Sequence, residues 1–359
     1  MVERPPDAHS RRLLAGARPT GRVDLGYYAD VLLQGIKHQE ECECFFLIAD
    51  VQALTTHHER PAGIRAAVRD TLLDCVAAGL DPGCWHFVVQ SQLPELAELT
   101  VYLQLLVTTG ELTQNPTIRE EARSLGRGDF DTGLNRVGFG FLGYPVFQTA
   151  DVLLFSPFPF RDTGNLQVPV GADQLPHIEL AREVAARFNS IYSPIFVEPQ
   201  AQTSEVGRLP RLDGSARIGG SRTNTVYFGE LRSEYARKIE TMHTDPKRTA
   251  LEQPGNPHEC PCYAYHRVFS SESVLASTFQ SCTSAELACD VCKRSLVDLV
   301  GSFLGSIEQR RAEYESQPHF VQDALSAGTR RARMLAQRIM AGVREAMNLT
   351  YPELAEREE

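Results

Sequence analysis

Cysteine residues are concentrated in one short part of this sequence. Five of the nine cysteines fall between positions 260 and 292. Four of them follow the spacing C-x21-C-x6-C-x2-C, at Cys260, Cys282, Cys289 and Cys292. Four thiolates can hold a tetrahedral zinc ion or an iron–sulfur cluster, and the residues alone favour zinc. The remaining Cys262 is predicted to be a small hydrophobic side chain in a helix, with an alternate metal ligand as the other interpretation.

Disulfide bonds are not expected for these cysteines, because the chain shows no export signal. Its N-terminal stretch MVERPPDAHSRRLLAG lacks an apolar segment of signal-peptide length. No run of eighteen apolar residues occurs, so no membrane-spanning helix is predicted. The sequence therefore predicts a cytoplasmic protein with reduced thiols and no membrane partner.

The overall charge argues against a generally basic nucleic-acid-binding protein. The 359 residues carry a formal net charge of −10, with 42% hydrophobic and 23% charged residues, which is ordinary for a globular protein. One C-terminal stretch is nevertheless basic, with Arg330, Arg331, Arg333, Arg338 and Arg344. A solvated helix face is the simpler interpretation of these arginines, and a face that meets RNA is the alternative.

Strand and helix patterns alternate through the first part of the chain. In order, they are 43–54 (a buried strand running into a loop), 62–79 (a helix), 85–91 (a buried strand), 94–108 (a helix) and 168–188 (a strand, a glycine turn and a helix). Gly79 suits the end of the first helix. Such alternation predicts an α/β domain with a parallel sheet and helices on both faces.

The pattern becomes helical after about residue 225. Helices are predicted near 230–241, 284–313 and 319–347. We therefore place a domain boundary near residue 225, with an all-α domain behind it.

Eight segments spread over nearly the whole chain carry a resemblance to one enzyme family. They are ARPTGRVDLGYY (17–28), FFLIADVQALTTHH (45–58), GYPVFQTADVLLF (143–155), VPVGADQLPHIELARE (168–183), LDGSARIGGSRTN (212–224), PGNPHECPCYAYHRVF (254–269), CTSAELACDVCKRSL (282–296) and AGTRRARMLAQRIMAGVREAMNL (327–349). In this order they resemble the bacterial tryptophanyl-tRNA synthetases, which are class I aminoacyl-tRNA synthetases.

The resemblance implies a Rossmann-like catalytic domain at 14–225 and a helical, anticodon-binding-like domain at 226–350. Residues 1–13 are then a disordered tail and 351–359 a second tail. It also implies a homodimer formed through the catalytic domain. Some family members hold a [4Fe–4S] cluster with cysteines at nearly this spacing, so the quartet is expected to hold such a cluster, with zinc as the alternative.

The resemblance further implies a site for tryptophan or a related indole amino acid. The family's YPVxxxAD helix corresponds here to Tyr144, Gln148 and Asp151, and Tyr144 and Asp151 lie two helical turns apart on one face. A buried carboxylate at Asp151 would accept the indole N–H and reject ligands that lack this donor. Tyr144 and Gln174 match the residues that bind the α-amino group, and Gln52 stands where the family usually has histidine. Composition alone would make Asp151 a helix cap and Tyr144 a core residue.

The signature with which the family places ATP near a helix N-terminus is altered. The family has HIGH, whose histidines donate to phosphate, and this chain has DLGY at 24–27. Gly26 is retained, whereas Asp24 and Tyr27 replace the two histidines. A carboxylate at the first position would repel a phosphate.

The second ATP signature, KMSKS, is altered as well. Here it is RIGGS, in which Arg217 conservatively replaces the first lysine, Gly220 replaces the second lysine and Ser221 is retained. The ribose-side motif VPVGxDQ is better kept, with Gly171 and Asp173. Because each lost donor typically costs about a hundred- to thousandfold in rate, ATP- and Mg²⁺-dependent adenylation is expected to be very slow, although nucleotide binding could survive in part.

Three functions are consistent with these features. The favoured one is a paralogue that binds tryptophan or an indole derivative, with adenylation impaired and its role diverted, for example to specialised metabolism. An enlarged loop at 156–167, with Phe158, Phe160 and Arg161, supports a modified ligand. The alternatives are an active tryptophan–tRNA ligase, with tRNA as partner, and a non-catalytic tryptophan sensor.

Overall fold

Five parallel strands form the sheet at the centre of the part of the chain described here. A computed structural model describes residues 11–58, 61–124, 137–157, 165–204, 209–213 and 224–352. The strands are β1 (Arg11–Ala17), β2 (Glu43–Ile48), β3 (Trp85–Val89), β4 (Asn165–Pro169) and β5 (Gln200–Gln202). Their order is β3-β2-β1-β4-β5, and all neighbouring pairs are parallel. This Rossmann-like order confirms the predicted fold class.

Helices cover the sheet and form the C-terminal part of the chain. The first group is α1 (Leu25–Tyr27), α2 (Leu33–His38), α3 (Asp50–His57), α4 (Ile64–Ala78), α5 (Glu95–Gln104), α6 (Thr109–Gln114), α7 (Pro116–Ser124), α8 (Phe139–Leu153) and α9 (Leu175–Ile191). The C-terminal group is α10 (Arg232–Glu240), α11 (Pro261–Phe269), α12 (Glu272–Thr283), α13 (Cys289–Glu315) and α14 (Phe320–Ala346). Among these described helices, none is long and apolar enough to cross a membrane.

Two boundaries differ from the sequence prediction. Strand β1 begins at Arg11, so residues 11–13 of the predicted tail belong to the sheet. Its apolar run, Leu13 to Ala15, is too short to identify from its pattern. Leu14 is buried in one apolar cluster, and Leu13 and Ala15 are buried in the other. The segment after Ile48 is helix α3 and not a loop. By contrast, α4 does end at Gly79, whose φ of 123° favours glycine.

The C-terminal helix α14 is part of the core of the sheet. It crosses β3 so closely that a methyl group on Gly328 would clash with the backbone of Phe87. Its apolar face, including Leu335 and Ile339, joins the same buried cluster as Phe45 of β2. The division near residue 225 therefore remains a prediction about domains, since the helical part and the sheet share a core.

Two arginines of the predicted basic face are engaged within the protein. Arg331 forms an ion pair with Glu43 of β2, and Arg344 forms one with Glu98 of α5. The surrounding guanidinium groups lower the pKa of both carboxyl groups. These contacts support a structural role for this part of the arginine-rich helix.

A buried carboxylate joins the helical part to the sheet domain. Asp74 on α4 is fully buried and accepts hydrogen bonds from Arg22 at 2.8 and 2.9 Å and from Arg311 of α13 at 2.6 Å. The backbone N–H of Val23 donates to it at 3.0 Å. Arg22 also binds Glu308 of α13, at 2.6 Å. This network fixes the segment that leads into α1.

Replacing this carboxylate is expected to destabilise the fold. The variant Asp74→Asn should lower the free energy of unfolding by about 3–5 kcal/mol, because two guanidinium groups lose their shared buried partner. Urea denaturation followed by circular dichroism measures this. The control Arg294→Met removes an ion pair with Asp290 whose side chains are 62% and 69% exposed and should cost less than about 0.5 kcal/mol. A cost as small as the control's for Asp74→Asn would contradict the expectation.

Candidate functional site

A cavity of about 1070 Å³ opens at the carboxyl ends of β1, β2 and β4. The strand order reverses beside β1, and such a reversal creates a crevice in open parallel sheets. Gly16 lies near the carboxyl end of β1, and a methyl group on it would lie 2.9 Å from the carbonyl oxygen of Leu47. All five predicted tryptophan-site residues line this cavity: Gln52, Tyr144, Gln148, Asp151 and Gln174.

Asp151 lies at one end of the cavity and is held by two side-chain amides. The Nε2 of Gln52 donates to its Oδ2 at 2.6 Å, and the Nε2 of Gln90 lies 2.7 and 2.8 Å from its two oxygens. The Oε1 of Gln90 accepts the backbone N–H of Gln52 at 3.0 Å, which closes the network. Burial raises the pKa of Asp151 well above its usual range, and the Gln90 hydrogen bond opposes this.

Gln90 was missed by the sequence analysis. It is 1% exposed and follows directly after β3. A glutamine at the carboxyl end of a buried strand is the one signal that could have drawn attention to it, because side chains at this edge of a parallel sheet point toward the crevice.

A second polar chain surrounds Tyr144. Its hydroxyl donates to Glu121 at 2.8 Å and lies 3.2 Å from Nε2 of His177. Glu121 is also paired with Arg18 at 3.1 Å. Burial lowers the pKa of His177 to about 4, so this ring is neutral near pH 7. Glu121, His177 and Arg18 were not predicted, because they come from three separate segments.

Gln148 and Gln174 extend this polar surface toward β4. Nε2 of Gln148 lies 3.4 Å from Oε1 of Gln174, and Nε2 of Gln174 donates to Asp173 at 3.0 Å. Gly171 lets the turn close, because a methyl group there would lie 2.7 Å from the Asp173 carboxylate. The predicted ribose-side residues thus adjoin the predicted tryptophan-site residues.

The stretch DLGY sits at the N-terminus of α1. Oδ1 of Asp24 accepts the backbone N–H groups of Gly26 at 2.8 Å and Tyr27 at 3.0 Å. The Tyr27 hydroxyl donates to the carbonyl of Gly16 at 2.9 Å. Burial raises the pKa of Asp24, whereas the two backbone donors and Arg211 lower it. A carboxylate therefore takes the helix N-terminal amides that would otherwise be available to an anion.

Two cations near this end of the cavity are already engaged. Arg22 belongs to the Asp74 network, and Lys238 pairs with Glu230 at 2.5 Å and donates to the Thr225 carbonyl at 2.9 Å. Three further predicted positions, Arg217, Gly220 and Ser221, lie outside the described residues, as do 158–164 of the predicted enlarged loop.

The four cysteines of the predicted quartet converge where three helices meet. Cys260 precedes α11, Cys282 lies at the end of α12, and Cys289 and Cys292 lie in the first turn of α13. Cys292 interacts electrostatically with Cys260 and Cys282, and Cys282 with Cys289. A methyl group on Gly255 would lie 2.6 Å from the Cys282 sulfur, so a glycine leaves room for this thiol. By residue type, the thiols at these helix ends are the donor set that a four-thiolate cofactor requires.

Two further side chains lie beside the quartet. The sulfur of Cys262 is 3.8 Å from that of Cys292, and Nε2 of His266 is 3.4 Å from the Cys292 sulfur. Both side chains are fully buried. His266 was not identified from the sequence, because the spacing of the cysteines does not include it.

Known proteins resemble this chain over nearly its whole length. The family described as class I tRNA synthetases (W and Y) matches residues 7–305. The tryptophan–tRNA ligase of Thermotoga maritima is 37% identical over 342 residues, which is 95% of this chain and 100% of that protein. The ligase of Aquifex aeolicus is 33% identical over 402 aligned residues, covering 94% of this chain and 100% of that protein.

Solved structures give the same result. The tryptophanyl-tRNA synthetase of Campylobacter jejuni, complexed with ADP and tryptophan, superposes with a TM-score of 0.73 at 26% identity, covering 94% of this chain and 100% of that one. That of Mycoplasma pneumoniae has a TM-score of 0.80 at 22% identity, covering 96% and 99%, and supports the fold. By matched length and identity, this chain belongs to the tryptophanyl-tRNA synthetase family of class I tRNA synthetases.

Proposed function

We propose that the protein binds L-tryptophan in this cavity and acts as a tryptophan–tRNA ligase. The observation that carries the proposal is the buried Asp151 carboxylate, held by Gln52 and Gln90 at the cavity wall. The family membership supports the ligase class, because the relatives at 33–37% identity are tryptophan–tRNA ligases. ATP and tRNA are the co-substrates of this proposal.

The polar groups of the cavity suit an indole amino acid. An indole N–H is a single donor on a flat apolar body, and Asp151 offers a buried acceptor for it. A wrong aromatic ligand would leave this acceptor unpaired, which gives stronger rejection than an apolar pocket alone. Tyr144 and Gln174, further along the wall, are proposed to contact the α-amino group.

Removing the negative charge of Asp151 is expected to weaken tryptophan binding. Asp151→Asn should raise the Kd for L-tryptophan about 10- to 100-fold, which corresponds to the loss of one hydrogen bond to a charged group. Isothermal titration calorimetry measures this. Asp290→Asn changes an exposed carboxylate on α13 and is the matched control, with no change expected. An Asp151→Asn protein that binds tryptophan as tightly as the parent would refute the assignment.

A second candidate follows from the N-terminus of α1. The Asp24 carboxylate accepts the backbone N–H groups of Gly26 and Tyr27, and neither position 24 nor position 27 is a histidine. This arrangement supports a protein that binds tryptophan, activates it poorly and has another role, either a different reaction on an indole amino acid or the sensing of tryptophan. Turnover of tryptophan followed by mass spectrometry would separate these two roles.

Tryptophan-dependent ATP–pyrophosphate exchange discriminates the two candidates. With both histidine donors absent, we expect an exchange rate at least about 100- to 1000-fold below that of a ligase with an intact HIGH motif, such as a family member purified in parallel. The double variant Asp24→His/Tyr27→His should raise the rate at least about tenfold, because it frees the amides and restores two donors.

The outcomes of this experiment are distinct. Exchange that responds to the double variant supports the ligase. Absent exchange in both proteins, with tryptophan binding retained, favours the second candidate. Exchange as fast as in the intact family member would show that other residues neutralise the phosphates.

We also propose that Cys260, Cys282, Cys289 and Cys292 hold a [4Fe–4S] cluster, with zinc as the alternative metal. Four protein ligands would leave no iron free for substrate, which supports a structural or RNA-linked role. Anaerobic reconstitution should give iron and acid-labile sulfide in equal amounts, and Cys282→Ser or Cys289→Ser should remove both. Zinc without sulfide under the same conditions would favour the alternative metal.

A further inference from the structure

We propose that Cys262, His266 and Cys292 form a second metal site, which holds a zinc-like divalent ion when no cluster is assembled. Their three ligand atoms all lie within 4.8 Å of one another. Only Cys292 belongs to the predicted quartet. The proposal concerns Cys262 and His266, which no part of the proposed function uses.

Two of the three separations between these atoms match those of a tetrahedral zinc site. Zinc–sulfur bonds of about 2.3 Å and zinc–nitrogen bonds of about 2.0–2.1 Å place two sulfurs about 3.8 Å apart, and a sulfur and a nitrogen about 3.5 Å apart. The sulfurs of Cys262 and Cys292 are 3.8 Å apart, and Nε2 of His266 is 3.4 Å from the Cys292 sulfur. Both separations therefore agree with one shared ion.

The local structure presents these ligands together. Cys262 and His266 are four residues apart on α11, so they share one face of the helix, as paired zinc ligands often do. Cys292 lies in the first turn of α13, which packs on α11. Cys262 and His266 are fully buried, so little water competes for the ion.

The second ring nitrogen of His266 also has a hydrogen-bond partner. Nδ1 of His266 lies 2.9 Å from Oγ of Ser270. A hydrogen bond from Nδ1–H to this hydroxyl leaves the lone pair of Nε2 free for a metal, which is how zinc-bound histidines are usually oriented. In the competing arrangement, Nε2–H of His266 donates to the Cys292 carbonyl at 3.2 Å. Cys262, His266 and Cys292 would then only pack against one another and bind no metal.

The two metal sites exclude each other because both use the Cys292 sulfur. Cys260 also interacts electrostatically with Cys292, so this thiol or a water molecule can complete the fourth position of the ion. Zinc at Cys262, His266 and Cys292 would keep α11 and α13 joined in protein that has not received its cluster.

The test compares zinc binding by iron-free, reduced full-length variants. In the double variant Cys282→Ser/Cys289→Ser, the quartet is destroyed and the proposed site is intact, so one zinc ion should still bind, with unchanged affinity in a competition titration. Added to this double variant, Cys262→Ser and His266→Gln should each weaken zinc binding more than about 100-fold, which is more than the roughly 10- to 100-fold expected for a residue that only orients a ligand. Ser270→Ala should weaken it about 10- to 100-fold.

A spectroscopic readout covers the case in which a buried variant fails to fold. Cobalt(II) bound to the Cys282→Ser/Cys289→Ser protein should give tetrahedral d–d bands and thiolate charge-transfer bands that match those of the parent. Loss of zinc and of these bands in that double variant, with its circular dichroism spectrum unchanged, would overturn the proposal and assign zinc to the quartet. Retention of zinc by the Cys282→Ser/Cys289→Ser protein that also carries Cys262→Ser would overturn it as well.

Discussion

The reversal of strand order beside β1 is the constraint on which the site depends. Strands β2 and β4 flank β1 on opposite sides. The segments that follow β2 and β4 therefore diverge at the carboxyl edge of the sheet. The crevice so formed brings together Gln52 after β2, Gln90 after β3 and Gly171 after β4. Helix α8 covers this opening and supplies Asp151 and Tyr144. Residues distant in sequence therefore share one wall because the strands end at one edge.

Two carboxylates that line the cavity differ in the groups that donate hydrogen bonds to them. Asp151 receives hydrogen bonds from side-chain amides and remains an acceptor at the cavity wall. Asp24 accepts hydrogen bonds from two backbone N–H groups of its own helix. Burial raises the pKa of both groups. The two carboxylates are therefore held in different ways, one by side-chain amides and the other by backbone amides.

The helical part contributes to the site region through contacts with the sheet domain. Arg311 of α13 shares Asp74 with Arg22, two residues before Asp24. Helix α14 joins the core beneath β3. The cysteines at the start of α13 therefore belong to a helix that also contacts the segment leading into α1.

The sequence by itself determined the parallel α/β sheet, the later helices, the family resemblance and the five residues proposed for tryptophan. Local periodicity and ordered motifs are sufficient for these, because they depend on neighbouring residues. Strand β1 escaped prediction because its three apolar residues are buried against residues from elsewhere in the chain. Gln90, Glu121 and His266 became visible only in the tertiary structure, since each gains its role from a partner at least 23 residues away. Such partners are fixed by strand order and helix packing, which sequence spacing does not encode.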